Sequence, residues 1–257
     1  ESYDDEGHPY ESLIIIAPSE YFKGGSVNGY TAETAPIIMK NNCQGWNSSK
    51  PLTSGDGSSI NYQLQVERGF VYVGVGARSR DLASGNAPTP VIDIKAAVRF
   101  LKANDDIIPG SSDRIVSFGG SGAGEMSSVI GATGNMEEYY PYLYEIGAVG
   151  IAKNDNDEYI STVSDDVYAC AVYYPIADIE NADMAYAWTR YDTGETGLSN
   201  RFLGTIVFNE FQFALQDDLA IAFCEYINAQ NLVDEEGNPL NFDVDERGNI
   251  ISPRQGS

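Results

Sequence analysis

The sequence predicts an α/β fold with a mostly parallel central sheet and helices on both of its faces, and three observations carry that prediction. Compact apolar runs of strand length recur along the chain, an amphipathic helical pattern separates two of them, and a glycine-rich turn joins an apolar strand to a small-residue helix. Parallel neighbours need crossover connections, so strand and helix patterns alternate along such a chain.

In chain order, residues 12–17 (SLIIIA) form the first apolar run, and residues 69–75 (GFVYVGV) and 167–174 (VYACAVYY) read likewise. Strands this apolar are expected to be covered on both faces. Residues 91–103 follow a helical period, with Ile94, Ala97, Val98 and Leu101 on one face and Lys95, Arg99 and Lys102 on the other. Residues 104–112, carrying Pro109-Gly110, end that helix. Residues 113–132 then read as a strand (Ile115, Val116, Phe118), the turn Gly119-Gly120-Ser121-Gly122-Ala123-Gly124 and a helix. From 175 to 205 the chain is rich in Tyr and Asp with no clear strand, which suggests an insertion. Residues 209–229 return to helix, with Leu215, Leu219, Ala222 and Phe223 on one stripe. The polar tail 231–257 ends without a strand, so the expectation is a core over 1–174 and an insertion, helix and tail over 175–257 of the same domain.

A chain of 257 residues buries roughly 70 to 75 % of its unfolded surface, enough for one sizeable α/β domain. Its 38 acidic and 15 basic residues give a net charge of -23, which repels phosphate backbones and anionic bilayers and argues against nucleic acid or membrane as partner. Cys43, Cys170 and Cys224 lie far apart without C-x-x-C spacing, so neither a zinc site nor a disulfide framework is suggested. No apolar run approaches the ~20 residues that cross a bilayer. The chain opens at Glu1 without an apolar leader, as it would if one had been removed. The compartment stays open, an exported or cell-envelope site being preferred to a cytoplasmic one.

The turn at Ser121 has the layout of a nucleophile elbow, in which a serine sits on a sharp strand-to-helix corner. The pattern G-x-S-x-G wants small residues two places before and after the serine; Gly119 and Ala123 stand there, with Gly124 one place on. Ser121 would attack an ester or amide carbonyl, with the Gly122 backbone N–H as one oxyanion donor. The loop after the first strand, with Gly24 and Gly25, is the expected source of the second. The competing reading, a phosphate-binding turn, lacks the lysine of a P-loop and the last glycine spacing of a dinucleotide fingerprint.

The base is the difficulty. The one histidine is His8, upstream of the first strand in a polar segment, where the order serine, acid, histidine does not place it. Asp178, after the third apolar strand, is either an orienting acid or a helix cap. Arg78 and Arg80, at a strand's carboxyl edge, would reach a substrate or brace the elbow. Two acidic clusters invite a metal reading and fail it. Residues 154–158 lack the glycine of a calcium loop, and residues 243–254 put Arg247 and Arg254 where ligands belong, so a turn at 246–249 explains the second better. Tyr139, Tyr140, Tyr142 and Tyr144 would stack on an aromatic substrate or pack an insertion against the core.

With these residues in view, the chain resembles bacterial tannases and the related feruloyl esterases of the α/β-hydrolase superfamily over most of its length. The resemblance is carried in order by residues 24–32 (GGSVNGYTA) with 34–37 (TAPI), Gly76-Ala77-Arg78 with Arg80, residues 94–99 (IKAAVR), 131–135 (GATGN) after the elbow, and 181–186 (NADMAY). It implies an α/β-hydrolase three-layer sandwich, incomplete at its C-terminal strands, with the start of a lid insertion. It also implies cofactor-free hydrolysis of esters of gallic or similar phenolic acids through an acyl-enzyme. Ser121 matches the nucleophile and the Gly24-Gly25 loop the oxyanion contributor. The family's acid and histidine come from the last strands and match no position here, so a C-terminal portion, in the same or a separate chain, is the expected partner. The alternatives are a non-catalytic binding protein and a peptidase of the same fold.

Overall fold

The computed structural model describes residues 9–51, 62–176, 198–200, 204–206, 209–245 and 250–251. The chain divides into two compact units, Glu1–Ala177 and Asp178–Ser257.

The first unit runs β1 (Leu13–Ile16), β2 (Pro36–Asn41), α1 (Tyr62–Glu67), β3 (Val71–Val75), α2 (Thr89–Ala103), β4 (Ser111–Gly120), α3 (Gly122–Ala132), α4 (Tyr140–Glu145), β5 (Ile151–Lys153), β6 (Tyr159–Ser161) and β7 (Ala169–Tyr173). Five of these strands form one sheet in the order β1-β3-β2-β4-β7. Strands β3, β2, β4 and β7 are parallel, while β1 runs antiparallel to β3 at one edge. The α/β class with a mostly parallel sheet is therefore present.

Strand β3 is buried at every residue, as its apolar run requires. Strand β2 gives no comparable signal in sequence, because Pro36 opens it and only Ile37, Ile38 and Met39 precede Lys40-Asn41-Asn42. It nevertheless occupies the centre of the sheet. Ile37 and Met39 enter the core, Lys40 lies 4.8 Å from the Phe118 ring centre, and the Asn41 amide donates to Ser117 Oγ and Ser127 Oγ at 2.9 Å each. Internal partners let polar residues stand where the binary pattern forbids them. Strand β7 departs from its expected burial on both faces: it lies at the sheet's edge, and Tyr173 is 55 % exposed.

Helix α2 buries Ile94, Ala97, Val98 and Leu101 as its period predicts. Its charged face is covered as well. Lys95 and Arg99 are fully buried, and Asp165 lies between them, accepting from Lys95 Nζ at 2.8 Å, from Arg99 Nη1 at 3.1 Å and from the Asn135 N–H at 2.8 Å. Arg99 also donates to the Val149 carbonyl and to Ser161 Oγ, and Lys95 Nζ sits 4.7 Å from the Tyr139 ring centre. The excursion holding α4 and the β5-β6 hairpin is thus tied onto α2 by ions that are fixed only while each keeps its partner. The tyrosine run belongs to this excursion, with Tyr144 edge-on to Tyr159. The acidic stretch 154–158 turns the hairpin: Asn154 Oδ1 accepts from the N–H groups of Asn156 and Glu158, and Lys153 pairs with Asp157.

In the second unit β8 (Leu198–Asn200) pairs with β9 (Gly204–Ile206), a hairpin within a stretch that reads as strand-free, and β10 (Asp243–Val244) pairs with β11 (Ile250–Ile251). Helix α5 (Glu210–Ala229) buries Gln216, Ala220 and Cys224. That stripe lies one position round from the expected one, since Leu215, Leu219 and Phe223 are half-buried and Ala222 is exposed. Asn228 fixes the following strand, donating to the Phe242 carbonyl and accepting from its N–H. His8, Asp178, residues 181–186 and the turn at 246–249 lie outside the described residues.

Candidate active site

The carboxyl ends of β2, β3, β4 and β7 all face one end of the sheet. From β2 the chain crosses to β3 on one side, and from β4 it crosses to β7 on the other. Right-handed crossovers then put α1 on one face of the sheet and α3 on the other. The connections diverge at the ends of β2 and β4, the place where open α/β sheets hold their ligands. Ser121 stands there, one residue beyond β4 and one before α3.

Ser121 is exposed and has φ 57° and ψ -127°, a left-handed conformation that costs a non-glycine residue of the order of 1–3 kcal/mol. Three backbone hydrogen bonds hold it: its N–H donates to the Tyr173 carbonyl at 2.9 Å, and its carbonyl accepts from Gly124 at 2.9 Å and Glu125 at 3.0 Å. The neighbouring glycines explain the departure from G-x-S-x-G. A Cβ on Gly119 would overlap the Ala123 carbonyl, one on Gly124 would come within 2.8 Å of the Tyr173 oxygen, and one on Gly122 within 2.8 Å of the Cys43 oxygen. Backbone closes on the elbow from three sides, so glycine is needed directly after the serine, and Ala123 fits in a fully buried position.

The segment closing on Gly122 is the loop after β2. Gln44–Trp46 forms a single 3-10 turn with Gly45 at φ 62°. Its outer side is stitched to the loop after β3: Arg80 Nε donates to the Gly45 carbonyl, Cys43 Sγ meets Ser79 Oγ at 3.5 Å, and Ser79 N donates to Ser48 Oγ at 2.7 Å. Burial pushes the Cys43 thiol up to about 11, which leaves it unreactive. Glu125, in the first turn of α3, is 6% exposed, and burial pushes its carboxyl up to about 7.

The assignment of Gly24 and Gly25 to this site is corrected by the topology. Because β1 runs antiparallel, the loop that follows it emerges at the amino ends of the parallel strands. There Tyr21 OH donates to the Gly69 carbonyl, just before β3, and Gly110 N–H donates to the Ala32 carbonyl, just before β4. Gly24 and Gly25 therefore lie at the opposite end of the sheet from Ser121. The loop that does approach, residues 42–46, has one signal in sequence: Gly45 follows a short apolar run that itself reads poorly as a strand. Gly122 is beside Ser121, and Arg78 is at the same end of the sheet. Arg78 is spent on structure, with Nη2 2.6 Å from Asp93 Oδ1 and Nε 2.9 Å from Glu11. Burial pushes the Asp93 carboxyl up against the pull of Arg78. Among the described residues no cluster of His, Cys, Asp and Glu is arranged to hold a metal ion.

The BD-FAE family model matches residues 28–231. A tannase structure from Fusobacterium nucleatum is 32% identical, with a TM-score of 0.65 over 93% of this chain and 52% of its own. A native tannin acyl hydrolase from Lactobacillus plantarum is 31% identical, with a TM-score of 0.67 over 92% of this chain and 51% of its own. A tannin acyl hydrolase in complex with ethyl gallate is 31% identical, with a TM-score of 0.65 over 95% and 52%. No curated protein sequence matches significantly. The chain spans about half the length of the solved structures it matches.

Proposed function

Because the chain belongs to the BD-FAE family, an α/β-hydrolase esterase family, we propose that it is the serine-bearing part of a carboxylic ester hydrolase acting on gallate-type phenolic esters. The observation that carries this reading is the exposed Ser121 at a positive-φ corner, with the amino end of α3 and the loop 42–46 closing beside it. Ser121 Oγ attacks the ester carbonyl and its proton passes to a general base. The Gly122 N–H and one N–H of the loop 42–46 hold the oxyanion, a role that depends on donors being in place before charge develops. Collapse expels the alcohol, which takes up the proton, and leaves an acyl-serine. Water activated by the same base then releases the acid.

The base and its orienting acid are assigned to polypeptide outside this chain. Two facts support that assignment: the one histidine of the sequence is His8, and the solved relatives are about twice as long. The gallate preference is drawn from relatives described as tannases and from one bound to ethyl gallate.

The test is hydrolysis of methyl gallate by the full-length protein and its Ser121→Ala variant. The expected result is a loss of about 10³-fold or more in kcat; undiminished hydrolysis by the variant overturns the assignment. One observation favours a non-catalytic binding protein of the same fold, namely the single histidine. A purified gene product whose mass ends at Ser257, with no co-purifying chain, would decide for it.

A further inference from the structure

We infer that Tyr174 is a specificity-determining residue of the Ser121 site, its ring lying against the aromatic ring of the acyl group in the ester to be cleaved. The inference rests on the reading of Ser121 as the nucleophile of a phenolic esterase. The backbone ties Tyr174 to the elbow on both sides. Tyr173, the last residue of β7, stands in register with Gly120, and its carbonyl accepts the Ser121 N–H at 2.9 Å. The peptide group that holds this carbonyl also holds the Tyr174 nitrogen. On the other side, Pro175 Cα lies 3.4 Å from where a Cβ on Gly124 would stand. Tyr174 is therefore fixed between two residues whose backbone touches the turn 121–124, at the end of the sheet where the nucleophile stands.

Neither the core nor the turn calls for an aromatic ring at this place. Tyr174 is 91% exposed, and among the described residues its side chain makes no hydrogen bond or ring contact. Its neighbour differs, since the Tyr173 ring packs on Phe118 with centres 5.4 Å apart. Tyr174 also turns at φ 46°, a region that suits glycine or asparagine and makes a bulky residue an outlier. Where a costly conformation presents a ring to solvent beside a nucleophile, the use of that ring lies in what arrives there. A tyrosine offers an arriving phenolic ring a flat face, and offset rings with centres roughly 4.5–7 Å apart attract. An aliphatic acyl chain gains less from the same face.

The test compares two esters that share a leaving group, methyl gallate and methyl butyrate, in the full-length protein. The ratio of their kcat/KM values reports discrimination between the acyl groups and cancels any change in the folded fraction. In Tyr174→Asn, which suits the positive φ but has no ring, the ratio should fall about tenfold, against the gallate. Tyr174→Gly should repeat that fall, and Tyr174→Phe should keep the ratio within about threefold of the parent. A ratio within about threefold of the parent in Tyr174→Asn and Tyr174→Gly overturns the inference. An equal fall in Tyr174→Phe overturns it as well, because the effect would then belong to the hydroxyl. A parent that leaves methyl gallate intact overturns the esterase reading alone, and calorimetric titration with gallic acid then decides Tyr174. Binding about tenfold weaker in Tyr174→Asn upholds the ring contact; binding that is equal in the two proteins, or absent from both, overturns it.

Discussion

Adding one methyl group at Gly119 tests how the elbow is built. Its backbone is not in the left-handed region, so Gly119→Ala is free of φ strain and gains about 0.4–1 kcal/mol from a less flexible unfolded chain. Against this, the new Cβ overlaps the Ala123 carbonyl and comes within 2.9 Å of the Gly124 nitrogen, both of them backbone in the first turn of α3. Backbone cannot rotate aside as a long side chain can. Relief requires α3 to withdraw from β4 by roughly 1 Å, an overpacking that costs about 1–3 kcal/mol. The net loss is on the order of 1–2 kcal/mol, which for a chain of this size lowers Tm by about 2–8 °C. Catalysis should suffer more, because Ser121 is bonded through its carbonyl to that same turn and a displacement of ~1 Å at a reacting group costs about 10²-fold. The assay is calorimetry of the variant beside its rate of methyl gallate hydrolysis in the full-length protein. A variant within about 1 °C and threefold of the parent would refute the close strand-helix contact.

Three further outcomes follow from the ion pairs and the buried carboxyl. Asp165→Asn leaves Lys95 and Arg99 buried around a neutral amide, which should cost about 3–5 kcal/mol and be visible as a fall of the urea midpoint. Glu125 holds its proton up to about 7 in the folded chain, against an ordinary 4.5. The folded state therefore binds more protons than the unfolded state between those values, and the stability that Glu125 contributes is complete below about 4.5 and lost as pH rises to about 7. After discounting for solvent screening, the parent should lose on the order of 1 kcal/mol between pH 5 and pH 8 that Glu125→Gln does not lose, as read by denaturant titration at the two pH values. Arg78→Met should lower stability by about 3 kcal/mol by stranding the buried Asp93, with KM for methyl gallate unmoved; a raised KM would return Arg78 to the substrate.

The parts of the molecule legible in sequence are those where one local signal suffices. The run VYVGV is apolar enough to be a fully buried strand in any context, and the helical period of 91–103 depends on nothing distant. The corner at Ser121 is likewise local, since its small residues answer to the two elements that it joins. Strand β2 was hidden because its central place is made possible by partners far along the chain, Ser117 and Ser127 for Asn41. Lys95 and Arg99 read as a polar face for the same reason: the carboxylate that covers them comes from Asp165. The Gly24-Gly25 loop reads as a neighbour of Ser121 because a glycine pair shows where a backbone can bend but not to which end of a sheet it belongs. That end was decided by β1 running antiparallel, a fact that β1's four apolar residues do not encode.

Treating the full-length protein with a fluorophosphonate and mapping the adduct by peptide mass spectrometry tests the central claim most directly. The structure predicts a single adduct on the peptide carrying Ser121, abolished in Ser121→Ala. An adduct on another serine, or labelling that survives that substitution, would contradict it.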